Sequence, residues 1–253
     1  MINFIQIGAN VGNNANDIIW RLARENDWGG ILVEPFPKTF GLLQENYADM
    51  ENLFFENVAI MPYVGEVDLH HSPTFLNECQ QASTSKGHFM ANTATTRVPC
   101  TTLEALVDKY NLRDQPFELL QIDAERGDVA ILLATNFDSI LPKYIRYEMI
   151  NTPLEQEHAA IDHLRSFGYQ PIKDIYKDLY EGERGKYDQL VERKPYLHPE
   201  EKLPPLGPGK VEVKQSTPEE NRLEDREKKK FLHMQKIRNR SALVDAFRDR
   251  NND

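Results

Sequence analysis

Phe4-Ile5-Gln6-Ile7-Gly8-Ala9-Asn10-Val11-Gly12 is the stretch that decides the fold. The apolar-rich run Ile2–Ile7 ends on Gly8, and the following segment Asp17–Glu25 sets Ile18, Ile19, Leu22 and Ala23 on one helical face. A strand, a glycine turn and a helix in that order let a nucleotide-like ligand approach the backbone closely and meet free N–H groups at the helix start. The spacing excludes two familiar loops. The dinucleotide fingerprint Gly-x-Gly-x-x-Gly needs glycine at positions 10 and 13, which hold Asn10 and Asn13, and the Gly-Lys-Ser/Thr of a P-loop is absent. Alone, Gly8 and Gly12 fit an ordinary strand-to-helix turn as well as a ligand site. Glu34 favours the ligand site. It closes the second apolar run, Gly30–Val33, 22 residues beyond Gly12. An acid there can accept hydrogen bonds from both hydroxyls of a ribose.

The pattern continues outward from these two runs. Thr39–Tyr47 reads as a helix with Phe40, Leu43 and Tyr47 together, Leu53–Ile60 as a third strand, and Gly65–His71 as a further one. Ser72–Arg97 is rich in Ser, Thr, Asn and Gln without periodicity and reads as a long binding loop. Thr102 opens a helix to Tyr110, with Leu103, Leu106 and Val107 on its apolar face. Phe117–Ile122 is a strand closed by Asp123; a short helix follows at Val129–Ala134, then a strand at Tyr144–Met149 that carries Glu148. Leu154–Phe167 is a helix stopped by Gly168. Tyr169–Ile175 and Tyr187–Val191 read as an antiparallel edge hairpin joined by Lys177–Lys186. Strands alternating with helices predict an α/β domain with a mostly parallel sheet over residues 1–194.

Composition divides the chain. Of 253 residues, 40 are acidic and 30 basic, a net charge of −10. Residues 1–194 carry a net −12, and residues 195–253 a net +2. Phosphate is repelled by so acidic a body, which argues against nucleic acid as its partner. Residues 195–217, with Pro195, Pro199, Pro204, Pro205 and Pro208, read as a linker. Thr217-Pro218-Glu219-Glu220 then caps a basic amphipathic helix over 218–253, with Met234, Ile237, Ser241, Val244 and Phe247 on one face. Its apolar stripe suits docking on the acidic body of its own subunit or, in a homo-oligomer, of a second one, better than anchoring to nucleic acid or an anionic membrane surface. No apolar run approaches the ~20 residues of a membrane helix. Cys79 and Cys100 form no disulfide framework, and no secretory leader is visible at Met1. A cytoplasmic protein is the expectation.

The ordered set of motifs resembles the FkbM-type S-adenosylmethionine-dependent methyltransferases. The resemblance rests on Ile7-Gly8-Ala9-Asn10-Val11-Gly12, Val33-Glu34-Pro35 with Phe40 and Asn46, Asn57-Val58-Ala59-Ile60, Gly65-Glu66-Val67, Val98-Pro99-Cys100-Thr101-Thr102-Leu103 and Leu119-Leu120-Gln121-Ile122-Asp123-Ala124-Glu125. It spans residues 3–175 with the family's order and spacing. It implies a class I methyltransferase, Rossmann-like fold: a seven-stranded, mostly parallel sheet with an antiparallel C-terminal hairpin. It implies S-adenosyl-L-methionine as cofactor. Gly8, Ala9, Asn10 and Gly12 would line the methionine end, Glu34 with Pro35 would hold the ribose, and Asn57 and Ala59 would lie near the adenine. Asp123 would stand between cofactor and acceptor. One departure is evident. Where the family has Asp-x-Glu-Gly-x-Glu, this chain has Asp123-Ala124-Glu125-Arg126-Gly127-Asp128, with Arg126 in the glycine's place. Its guanidinium adds positive charge suited to a carboxylate or phosphate.

Methylation of a hydroxyl needs a base or a metal, because hydroxyl pKa values are high. Asp123 and Glu148 end parallel strands on the ligand side and are the leading bases, with Glu125 as a third. For Glu148 an ion pair with Arg146 or Lys143 is the competing reading. His70 and His71 are expected to be exposed near a strand end, and His88 lies in the long loop. Asp123, Glu125 and Glu148 have no metal-ligand spacing, so a divalent ion is left open rather than expected. A small-molecule or glycan O-methyltransferase is the leading function. A methyltransferase-like binding or scaffold protein without catalysis is the alternative, ahead of a Rossmann-like NAD(P)-dependent oxidoreductase.

Overall fold

The computed structural model describes residues 1–13, 17–71, 82–84, 94–149, 152–172 and 188–193. Expectations for the tip of the long loop with His88, the hairpin connection 177–186, the linker 195–217 and the helix 218–253 lie outside these residues. In chain order the first half comprises β1 (Phe4–Ile7), α1 (Ile18–Asn26), β2 (Gly30–Val33), α2 (Pro37–Asn46), β3 (Leu53–Glu56), β4 (Ala59–Ile60), β5 (Gly65–His71), β6 (Ala82–Ser83) and β7 (Ala94–Thr101). The second half comprises α3 (Leu103–Lys109), β8 (Pro116–Ile122), α4 (Asp128–Ala134), β9 (Leu141–Glu148), α5 (Leu154–Ser166), β10 (Tyr169–Ile172) and β11 (Asp188–Arg193).

Seven strands form one sheet in the order β10-β11-β9-β8-β1-β2-β3. Neighbours from β9 to β3 run parallel, while β11 is antiparallel to both β9 and β10. The expected antiparallel hairpin is therefore present at the edge of the sheet, with β11 between β9 and β10 and β10 outermost. Strand order reverses at β1, which lies between β8 and β2. The crevice at the carboxyl ends of β1 and β8 is the switch point where ligands of open α/β sheets sit.

Side-chain alternation along each strand builds two cores. Ile5, Ile7, Ile31, Val33, Leu120, Ile122, Ile145 and Tyr147 pack on one face with residues of α3, α4 and α5. Phe4, Leu32, Leu119 and Leu190 pack on the other with Ile18, Ile19, Leu22 and Ala23 of α1 and Leu43 of α2. Burying each such aliphatic side chain contributes about 1.5–3 kcal/mol. Asp17 starts α1 by accepting from the Ile19 N–H at 2.9 Å. Thr102 starts α3 as the sequence indicates, accepting from the Ala105 N–H at 3.1 Å.

Two expectations change. The run Leu53–Ile60 is broken: Asn57 and Val58 separate β3 in the main sheet from β4, which belongs to a second sheet. That second sheet, ordered β4-β7-β5-β6, takes up two pieces of what reads as one long loop, Ala82–Ser83 in its interior and Ala94–Arg97 at its end. Ala82–Ser83 and Ala94–Arg97 are strand, because β7 pairs with β5 over its whole length, from Gly65↔Cys100 to His71↔Ala94. Isolated polar Thr95, Thr96 and Arg97 hide the strand from a periodicity reading.

Candidate functional site

Gly8 leaves β1 with φ +78°, and a Cβ there would drive into the backbone carbonyl of Asp123. Glycine is thus required at the point where β1 and β8 end side by side. The ladder continues past the strands: the N–H groups of Gly8 and Ala9 donate to Val33 O, and the Asp123 N–H donates to Ile7 O at 2.9 Å. Asn10 is also left-handed, at φ 51°, a conformation that Asn tolerates better than most residues. Gly12, at φ +77°, has a different reason for being glycine. A Cβ would overlap the Tyr47 ring and Leu43, so α2 packs directly on the turn. The Asn46 side-chain amide fixes the same turn by donating to Val11 O at 2.8 Å.

Glu34 stands across this turn and is buried. Its Oε2 accepts from the Asn10 N–H at 3.0 Å and its Oε1 from the Phe36 N–H at 2.9 Å. One carboxylate therefore joins the loop after β1 to the loop after β2. Burial pushes its pKa up to about 7, against the two N–H bonds that favour the anion, and the charge of Asp123 adds to the rise. Behind Glu34, the Asn57 side-chain amide donates to Glu34 O at 2.8 Å and to Pro35 O at 3.1 Å. Ala59 is buried in the small core of the second sheet, against which Phe36 packs.

Two further acids complete the group. Asp17 accepts from the Gln6 side-chain amide at 3.1 and 3.2 Å, and burial raises its pKa to about 7. Asp128 accepts from the Ala124 N–H and the Glu148 N–H, both at 3.2 Å, and so ties the end of β8 to the end of β9. Burial, followed by the charge of Asp123, raises Asp128 to about 8. Asp123 itself is exposed, and its field acts on Asp17, Glu34 and Asp128 alike. One step below the mouth, Gln6 and Gln121 lie directly across β1 and β8. The Oε1 atoms of both are buried without a hydrogen-bond partner.

Glu125 and Arg126 occupy consecutive left-handed positions, φ 48° and 78°, in the turn between β8 and α4. Gly127 has φ −84° and does not use its freedom. The glycine of the family motif is thus missing where the backbone asks for it. The second sheet holds this turn: Ser83 Oγ donates to Glu125 O at 2.8 Å. His70 faces Ser83 across the β5–β6 pair, and its Nδ1 meets Thr95 Oγ1 at 3.2 Å. His71 meets Thr96 Oγ1 at 3.0 Å through Nε2, and its ring lies 4.7 Å from that of Phe36. Both histidines are only 6% exposed, contrary to the expectation of exposure, because β7 and β6 flank β5.

The structure brings Gly8, Asn10, Glu34, Asp123 and Asp128 together by direct contact or field, and adds Asn57 as a backbone clamp. Lys143 pairs with Glu118 at 3.1 Å rather than with Glu148. Among the described residues, no group of three or more His, Cys, Asp or Glu is placed to hold a metal ion. Also among them, no helix is long and apolar enough to cross a membrane. Sequence reading missed Asp17, Asp128 and Gln6. Asp17 had a visible signal, an acid one residue before an apolar helical stripe. Gln6 had none, and Asp128, though it fills the last acidic place of the Asp123–Asp128 motif, shows nothing in the sequence of its tie to Glu148, 20 residues on.

Residues 6–171 match the model of the methyltransferase FkbM domain. This protein belongs to the FkbM methyltransferase family. No curated protein sequence matches it. Its structure is similar to that of an FkbM methyltransferase from Methylobacillus flagellatus at 10% identity, with 75% of this chain and 42% of that one covered and a TM-score of 0.44. It is also similar to the Methanococcus jannaschii fibrillarin pre-rRNA processing protein, at 13% identity, 76% and 66% coverage and a TM-score of 0.41. An Aeropyrum pernix fibrillarin, solved with natively bound S-adenosyl-L-methionine, gives 13% identity, 76% and 65% coverage and a TM-score of 0.39. The chain spans less than two thirds of the length of each of these structures. The family's seven-stranded class I sheet, with its antiparallel member next to the edge, is the sheet described above.

Proposed function

We propose that this FkbM-family protein transfers a methyl group from S-adenosylmethionine to a hydroxyl oxygen of a polar small molecule such as a sugar or glycan. The observation that carries the reading is Glu34: a buried carboxylate at the carboxyl end of β2, beside the switch point, held by the N–H groups of Asn10 and Phe36. A carboxylate has about four acceptor sites. Two are used by these N–H groups, which leaves capacity for the paired hydroxyls of a ribose. The residues therefore fit the cofactor. Gly8, Ala9, Asn10 and Gly12 would bound its methionine end, Glu34 and Pro35 the ribose, and Asn57 and Ala59 the adenine side.

When bound, S-adenosylmethionine would supply a sulfonium methyl carbon for in-line attack by an acceptor oxygen, the O–C bond forming as the C–S bond breaks and its electrons stay on the sulfur of the departing S-adenosylhomocysteine. The protein's task is to orient that oxygen and remove its proton. Asp123, exposed at the end of β8, takes the proton, with Glu148 at the end of β9 and Glu125 in the adjoining turn as the other carboxylates on that side. Asp123 is suited to the role because it remains in contact with solvent, whereas Asp17, Glu34 and Asp128 are buried and shifted toward their neutral forms.

The test is calorimetric titration with S-adenosylhomocysteine and with NAD, followed by transfer of labelled methyl to a panel of hydroxylated acceptors. The reading predicts micromolar binding of the first ligand only, and transfer that is lost in Asp123→Asn. Binding without transfer to any acceptor would reassign the protein as a binding module on the same fold. Binding of NAD alone would exclude methyl transfer.

A further inference from the structure

We infer that Arg126 is a specificity residue that reads an anionic group, a carboxylate or phosphate ester, on the acceptor; the inference rests on the methyl-transfer reading above. Arg126 stands three residues beyond Asp123, in the turn that borders the switch-point crevice. Its φ of 78° is one that a side chain disfavours and glycine accepts freely. Gly127, next to it, spends no left-handed turn, so the chain carries the strain while a glycine sits one place away.

The turn is held in that shape from several sides. Ser83 donates to Glu125 O, Asp128 accepts from Ala124 N–H, and the Gly127 N–H donates to Ala124 O at 3.0 Å. Backbone strain that is over-determined in this way persists at functional sites. A stabilising role would show as an ion pair, because Asp123, Glu125 and Asp128 are all within three residues of Arg126. Yet Arg126 is exposed and makes no hydrogen bond or ion pair among the described residues. Asp128, buried beneath the turn and shifted toward its neutral form, does not cancel the cation. A planar, unpaired guanidinium three residues beyond the candidate base, in the turn after β8, matches the bidentate geometry of carboxylate and phosphate oxygens.

The experiment uses the full chain saturated with S-adenosylmethionine and three matched acceptor pairs: glycerol with glycerol 3-phosphate, glucose with glucose 6-phosphate, and glucose with glucuronate. We expect at least one anionic member to exceed its neutral partner in kcat/KM by about tenfold to a hundredfold, the range of one charge-assisted contact. Phosphate and carboxylate are separated by which pair shows the preference. Arg126→Gly should abolish the preference while S-adenosylhomocysteine affinity and fold are retained, and Arg126→Lys should restore part of it. Equal rates within every pair, no turnover of any anionic member, or a preference that survives Arg126→Gly overturns the inference. Failure of the methyl-transfer reading is seen separately, as no S-adenosylhomocysteine binding by the unaltered protein or as binding without transfer to any acceptor, neutral or anionic.

Discussion

The two banks of the switch-point crevice are built differently. On the β1–β2 bank, side chains satisfy backbone: Glu34 takes two N–H groups, Asn57 caps two carbonyls, Asn46 caps a third, and glycine or asparagine stands at each left-handed position. On the β8–β9 bank, Glu125 and Arg126 sit left-handed without being glycine, and Asp123 and Arg126 are exposed. The first bank is fixed by its own side chains. The second carries left-handed side chains and exposed charge. Preorganisation lowers the cost of binding, whereas exposed charge on a strained turn is retained for what it contacts.

The largest effect should come from the shared wall of the two banks. Gly8→Ala adds a Cβ that meets the Asp123 carbonyl in a left-handed conformation. Overpacking and the disfavoured φ together should cost about 3 kcal/mol in urea unfolding, along with S-adenosylhomocysteine binding. An unchanged midpoint would mean that β1 and β8 do not meet as closely as described.

A second effect distinguishes buried from exposed acids. Asp17, Glu34 and Asp128 have folded pKa values raised to about 7, 7 and 8, from ordinary values near 4. Each therefore takes up a proton on folding between about pH 4 and pH 8. Their contribution to stability is greatest at the acid end of that window and is lost as pH rises through it. Asp128→Asn should flatten the fall by a few kcal/mol, whereas Asp123→Asn should remove part of the upward shifts of Asp17, Glu34 and Asp128. Unfolding curves at half-unit pH steps provide the measurement.

The smallest effects should have opposite signs on the two banks. Asn57→Ala removes two partly buried hydrogen bonds, to Glu34 O and Pro35 O, and should destabilise by about 1–2 kcal/mol. Arg126→Gly relieves a left-handed side chain and should stabilise by about 1 kcal/mol. Paired melting curves of the two variants test this contrast, and a loss of stability in Arg126→Gly would remove the strain from the account.

Much of this fold is legible in the sequence because the main-sheet strands are buried on both faces. Ile5-Gln6-Ile7, Ile31-Leu32-Val33 and Leu119-Leu120-Gln121-Ile122 read as continuous runs, and the helices between them show clear stripes. The second sheet is not legible. In β7 the sequence Ala94-Thr95-Thr96-Arg97 has no apolar alternation; it pairs with β5 through the backbone ladder and through polar side chains, its hydroxyls meeting His70 and His71 and Arg97 pairing with Glu66. The site is legible where a residue acts through a fixed spacing, as at Gly8 and Glu34. It is not where a residue acts across the fold. Gln6 reaches Asp17, Asp128 reaches Glu148, and Ser83 reaches Glu125 over 42 residues. Arg126 marks the limit from the other side: the sequence shows the missing glycine, and only the backbone shows that the turn keeps the glycine's conformation.

The central claim is that ionised Glu34 holds the ribose of the cofactor, and the pH dependence of S-adenosylhomocysteine affinity tests it most directly. With Glu34 titrating near 7, affinity should be constant above about pH 8 and weaken by up to about tenfold per unit below 7. In Glu34→Gln the affinity should be lower by about tenfold to a hundredfold at pH 8, and the pH dependence should disappear. Tight binding that is unchanged between pH 6 and 8, and unchanged in Glu34→Gln, would contradict the account.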